Sequence, residues 1–257
     1  MNRTTFAIGA AAVLACGIAV AQQPWIAHGR ATVDGVLTPG EWDKADWVRM
    51  DKVYSGTPVD LTNAMWAALW DSSDNAIYVA VTGIDTDHVM RAYTAWNGQD
   101  GIEVYINARN DDTNGFMDMT TRKYDYAQQY CLGYDAAATS LWTVLGGGNP
   151  VPTGTVPAEA FGMVTNRLVY ELKLRPFDYY NYDNVTNSTE IRLRPRLVLG
   201  LDVVMNSLTA GGDFGMWCEN QIGGKFNNAA AMRDYRLASP PGMLIILEGA
   251  SARFDTP

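Results

Sequence analysis

The sequence predicts an all-β chain folded as a β-sandwich. Short stretches in which apolar and polar side chains alternate recur along its whole length. Clusters of Gly, Pro, Asn and Asp separate these stretches at sandwich-like intervals, and no segment sustains a helical period. There is no internal repeat, and no linker separates two cores. After an N-terminal segment (residues 1–21), residues 22–257 read as one domain.

That first segment carries Arg3, then an uncharged apolar run from Phe6 to Val20, then the small residues Ala19-Val20-Ala21. It has the order and length of a secretory signal cleaved after Ala21, and is too short for a membrane span. Val13-Leu14-Ala15-Cys16 is a loose match to a lipoprotein box anchored at Cys16, the alternative. The expected location is extracellular or periplasmic, without membrane insertion.

The strands follow in order. Trp25 to Val33 leads into the turn signals Asp34-Gly35 and Pro39-Gly40, and Glu41 to Ala45 reads as one helical turn. Trp42 and Trp47 are expected to plug an end of the sandwich. Ala64 to Trp70 and Ile77 to Ile84 flank the turn Asp71 to Asn75, a β-hairpin by pattern. Further strands are expected at Tyr124–Tyr134, Ser140–Leu145, Leu168–Leu174, Leu197–Asn206, Phe214–Glu219, Met232–Leu237 and Met243–Leu247. The turn Asn110 to Gly115 lacks the spacing of an EF-hand and reads as solvated. Gly146-Gly147-Gly148 lacks the surroundings of a phosphate loop.

The most informative stretch is Trp96 to Arg109. An aromatic and turn formers give way at Gly101 to a strand with Ile102, Val104 and Ile106 on one face and Glu103, Tyr105 and Asn107 on the other. A ring and two carboxylates, Asp100 and Glu103, thus gather where a loop meets a sheet, a setting that suits a binding site. The same residues also fit a plain turn whose Trp packs on the core.

Composition excludes several functions. The chain has 19 basic and 28 acidic residues; without Arg3 the balance is 18 to 28, a formal charge near −10. Nucleic acid and anionic membranes are poor partners for such a surface. Only His28 and His88 are available for metal or nucleophilic chemistry, which disfavours His-rich zinc sites and Ser-His-Asp triads. Cys131 and Cys218 either pair in an oxidising compartment or stay as buried thiols.

Several motifs occur in one order. Asp34-Gly35-Val36-Leu37 followed by Glu41-Trp42-Asp43-Lys44-Ala45 resembles the opening of family 9 carbohydrate-binding modules. Ala68-Leu69-Trp70-Asp71 with Ile77 to Val81 and Asp85 is similar to their first hairpin. Trp96 with Gln99-Asp100-Gly101-Ile102-Glu103-Val104-Tyr105-Ile106 resembles their central strand. Val169 to Lys173, Leu199 to Val203, Trp217 and Arg233 to Leu237 resemble later strands, so the likeness spans roughly residues 31–238. It implies an immunoglobulin-like antiparallel β-sandwich related to DOMON domains, often with structural calcium.

In sugar-binding members two tryptophans sandwich a terminal sugar, and Trp96 falls on the first of those positions. At the second, Phe226 is the nearest aromatic, between Lys225 and Asn227; a basic family residue is replaced by Gln129 or Tyr130. The resemblance therefore implies a non-catalytic protein binding a saccharide or polysaccharide through Trp96 and Phe226. Asp100, Glu103, Gln99, Asn220 and Tyr130 are candidates for its hydroxyl rim. A Phe in place of Trp implies a weak grip, about micromolar to millimolar. Calcium is the one cofactor implied, with Asp85 and Asp87, near Asp100, as candidate ligands; no organic cofactor is expected.

Three other classes compete. A glycoside hydrolase would use Asp100 and Glu103 as its carboxylate pair. A cell-surface building block would self-associate through strand edges, Trp25 or the tail 250–257. A haem-binding electron carrier would need His88 and one of Met90, Met205 or Met216.

Overall fold

The computed structural model describes residues 23–92, 95–110, 124–135, 138–143 and 149–242. The expected signal segment and Cys16, the turn after Asn110, the three glycines 146–148, the strand expected at 243–247 and the tail 250–257 lie outside the described residues.

The strands are β1 (Trp25–His28), β2 (Val48–Arg49), β3 (Lys52–Gly56), β4 (Thr62–Asp71), β5 (Ala76–Ile84), β6 (Gly101–Asn107), β7 (Tyr124–Asp125), β8 (Ala127–Asp135) and β9 (Ala138–Thr143). They continue with β10 (Asn149–Pro150), β11 (Ala158–Val164), β12 (Arg167–Leu174), β13 (Phe177–Asn181), β14 (Thr189–Glu190), β15 (Val198–Leu208), β16 (Phe214–Cys218) and β17 (Arg233–Leu237). The other regular elements among the described residues are 3-10 turns at Val185–Asn187 and Ala229–Ala231. Glu41 to Ala45 forms successive tight turns rather than the expected helical turn.

Two antiparallel sheets face one another. One runs β10-β9-β8-β6-β15, with β17 and the β16–β3 pair sharing the far side of β15; the other runs β4-β5-β12-β11, with β2 also on β4. Strand β1 joins them, pairing in parallel with β17 through Trp25 and Ile26, then with β4 through Ala27 and His28. A strand that switches sheets closes that side of the sandwich.

The main core lies between the sheets: Trp66, Val79, Val81, Tyr170 and Leu172 from one side meet Ile102, Val104, Tyr130, Leu201 and Val203 from the other. The outer faces are also covered. On the β4–β5 side, Ala67, Leu69, Tyr78 and Ala80 lie under Trp42, with Trp47 packed against it at 6.3 Å between ring centroids. The two tryptophans thus cover a face rather than plug an end.

The buried carboxylate of Glu171 on β12 fastens this cover. It accepts the Asp34 and Gly35 amides at 3.0 and 2.8 Å and the Trp42 indole N–H at 3.0 Å. Those contacts explain why an Asp-Gly turn and a Trp at this spacing accompany a Glu on a later strand.

On the other outer face, Tyr105, Val204, Met216 and Cys218 pack beneath Phe177, Tyr180, Ala229 and Met232. Every residue of β6 is therefore buried, although its alternation predicts one solvated face. The face carrying Glu103 and Tyr105 lies under the segment before β17 and the small sheet β14-β13-β7.

The possible Cys131–Cys218 disulfide is not formed; both residues are buried thiols. Cys131 pairs with Glu103, Glu103 with Val204, and Val204 with Cys218. Three strand spacings put the thiols on the order of 14 Å apart, whereas a bridge needs Cα atoms within about 7 Å.

Candidate functional site

Outside β6, the cover leaves a cavity of about 610 Å³ lined by Tyr54, Ser55, Trp96, Glu103, Tyr105, Gln129, Met216, Gly223 and Phe226. Each strand contributes by register. Glu103 and Tyr105 are alternate residues of β6, and Gln129 on β8 is paired with Tyr105. Met216 comes from β16 and pairs with Ser55 on β3, next to Tyr54.

Two aromatics at the rim remain largely in water: Trp96 is 52% exposed and Phe226 40%. Trp96 is nevertheless fixed. Its indole meets Phe214 edge-on at 5.2 Å between centroids, and its carbonyl accepts the Asn206 side-chain amide at 3.1 Å. Tyr54, half-buried, supplies a third ring.

Glu103 is buried in the floor, and its carboxylate is oriented from three sides. Oε2 accepts the Tyr105 hydroxyl at 2.5 Å and the Gln129 amide at 2.8 Å, while Oε1 accepts the Asn206 amide at 3.2 Å. Burial and the neighbouring Glu103 charge hold the Tyr105 phenol well above its ordinary pKa, so it remains a donor.

Of the residues singled out in the sequence, Trp96, Glu103 and Phe226 come together here, and four do not. Tyr130 turns inward to the main core, because it is one residue out of phase with Gln129, which lines the cavity. Gln99 is buried in the turn it stabilises, donating to the Ala95 carbonyl at 2.8 Å. Asn220 donates to Asp202 and to the Ala231 carbonyl, and its oxygen accepts the Ile222 amide. Asp100 accepts the amides of Val89 and Leu208, each at 2.7 Å, in a separate acidic cluster. Tyr54 escaped the sequence reading, and Met216 entered it only as a haem-ligand candidate. Lys52–Gly56 has little alternation, and the β3–β16 pairing that brings it to the cavity is long-range.

The acidic cluster joins Asp85, His88 and Asp100, whose ligand atoms all lie within 4.8 Å of one another. Asp85 is fully buried, and its Oδ2 has no hydrogen-bond partner; neither has either ring nitrogen of His88. Burial, then the Asp100 charge, pushes Asp85 up to about 7; burial pushes Asp100 up to about 6. One orphaned Asp85 oxygen and the two His88 nitrogens beside Asp100 fit a divalent cation, with oxygen donors suiting calcium and the imidazole adding a nitrogen. Asp87 is aimed elsewhere: its Oδ2 accepts the Ala210 amide at 3.0 Å, so His88 rather than Asp87 completes the trio. The methionines of the haem alternative are dispersed, Met205 into the core and Met216 into the cavity wall.

A two-sheet sandwich with an aromatic-rimmed, carboxylate-floored cavity is the design of a binding domain. Residues 33–147, just under half of the chain, match the family model described as carbohydrate family 9 binding domain-like. The chain is similar to the solved structure of a family 9 carbohydrate-binding module (CBM9) from Caldicellulosiruptor kristjanssonii in complex with cellotriose. The TM-score is 0.63 at 14% identity, covering 88% of this chain and 98% of that one. It is also similar to a CBM9 from the same organism in complex with glucose, with TM-score 0.62 and 14% identity over 87% and 99% of the two chains. A search of curated proteins gave no match. The fold of this chain is therefore that of the CBM9 β-sandwich.

Proposed function

We propose that this domain is a non-catalytic carbohydrate-binding module of an exported protein, holding a saccharide between Trp96 and Phe226 above Glu103. The observation that carries the reading is the pair of half-exposed rings at the mouth of one cavity with an oriented carboxylate beneath them. Rings cover the apolar C–H face of a pyranose, and Glu103 and Gln129 are within reach of its hydroxyls. Cellotriose and glucose, found in the similar modules, are the first saccharides to test. Glu103 is the one carboxylate among the lining residues; Asp100 is held by Val89 and Leu208, so the two-carboxylate arrangement of a hydrolase is not supported. A divalent cation, calcium in the first instance, would be held by Asp85, His88 and Asp100 as a structural ion.

A glycan array with and without calcium, followed by calorimetry with cellotriose, tests the proposal. Wild type should bind with a dissociation constant of about micromolar to millimolar. Trp96→Ala should remove the signal while leaving the thermal midpoint within a few degrees. Equal binding by the two proteins would take Trp96 out of the site.

A further inference from the structure

Lys225 is 0% exposed, although it adjoins the half-exposed Phe226. Its ammonium lies 3.4 Å from Asp202 Oδ1, donates to the Asn220 carbonyl, and sits over the Tyr54 ring, 4.6 Å from the centroid. Asp202, on β15, is held by the Asn220 amide at 2.8 Å and the Arg233 amide at 3.1 Å. One buried charge pair thus ties the loop carrying Phe226 to the rigid sheet and to the ring of Tyr54.

Such a pair is not explained by stability. Removing two buried charges together is often neutral or stabilising, whereas removing one is strongly destabilising. What the pair supplies is a defined geometry, because a desolvated ammonium has few places to go. We propose that Lys225, clamped by Asp202, is a positioning residue that sets where Phe226 and Tyr54 stand relative to Trp96. This rests on the saccharide reading of the cavity and adds how its walls are fixed.

The test is a mutant cycle on the full chain, with cellotriose as probe. Asp202→Asn/Lys225→Met removes both charges without leaving one unpaired. Its thermal midpoint should stay close to that of wild type, while cellotriose binds about tenfold more weakly. In a Phe226→Ala background the same double change should cost clearly less affinity than in the wild-type background, because one of the two rings it positions is gone. Wild-type affinity in the double variant, or an equal loss in both backgrounds, would overturn the proposal. Should the double variant not fold, Asp202→Asn/Lys225→Gln, which also leaves no charge unpaired and keeps an amide oxygen to accept from Asn220 and Arg233, is read by the same criteria.

If wild type binds no saccharide, the functional reading falls and amide hydrogen exchange at residues 223–227 decides. Exchange at least about tenfold faster in the charge-free variant supports the positioning role. Unchanged protection there overturns it.

Discussion

Trp96 keeps half of its indole in water while Phe214 and Asn206 hold it still. A ring displayed in this way retains apolar area for a ligand and has lost much of its freedom beforehand, so little further ordering opposes binding. Glu103 is the complementary case, a buried acceptor oriented by Tyr105, Gln129 and Asn206. Glu171 uses the same chemistry for structure alone. Glu171→Ala would leave the Asp34, Gly35 and Trp42 donors unmet under the cover of the β4–β5 face. We expect a loss of about 2–4 kcal/mol, seen in calorimetry as a midpoint roughly 5–15 °C lower, with saccharide affinity of the remaining folded protein unchanged.

At the scale of elements, β3 and β16 build one wall of the cavity, and their close approach depends on a glycine. A Cβ at Gly215 would stand 1.9 Å from the Pro58 nitrogen, in the segment that follows β3. Gly215→Ala should force β3 away from β16, at about 1–3 kcal/mol, and should weaken cellotriose binding because Tyr54 moves with its strand. Fluorescence-detected unfolding and calorimetry measure the two effects separately.

The same elements show what could be read in the sequence. The β4–β5 hairpin, β12 and β15 followed from alternation and turn chemistry, and the motifs shared with family 9 modules supplied the sandwich. β3, β11 and β13 were not legible, since each is short or weakly patterned; β3 is a strand because the distant β16 pairs with it, whereas β11 is the first arm of a hairpin with β12. Within the site, Trp96 and Glu103 lie in one stretch and could be paired from local pattern, and Phe226 entered through the family likeness. Tyr130 was taken alongside Gln129 because a replaced position leaves the strand phase open by one residue, and one residue reverses the face. Asn220 and Gln99 read as free amides, yet their partners come from loop geometry that no local pattern encodes.

For the molecule as a whole, the acidic cluster links pH to stability and offers a test of the proposed cation. Asp85 and Asp100 are raised by burial to about 7 and about 6. A carboxyl with a raised folded-state pKa binds its proton more tightly when folded. Its contribution to stability is therefore complete below about pH 4 and is lost as pH rises through 6 to 7. In EDTA the midpoint should fall between pH 5 and pH 7.5. Calcium, which takes the deprotonated carboxylates, should raise it more at pH 7.5 than at pH 5. A midpoint indifferent to calcium at pH 7.5 would remove the ion from this site.

The central claim is that a saccharide lies face-on against Trp96 and Phe226. Saturation-transfer NMR on cellotriose with wild type, Trp96→Ala and Phe226→Ala tests it most directly. The account predicts strongest transfer to the C–H protons of one sugar face in wild type, its loss in Trp96→Ala and its weakening in Phe226→Ala, while the amide spectra of both variants stay dispersed. Transfer of the same pattern and strength to all three proteins would contradict it.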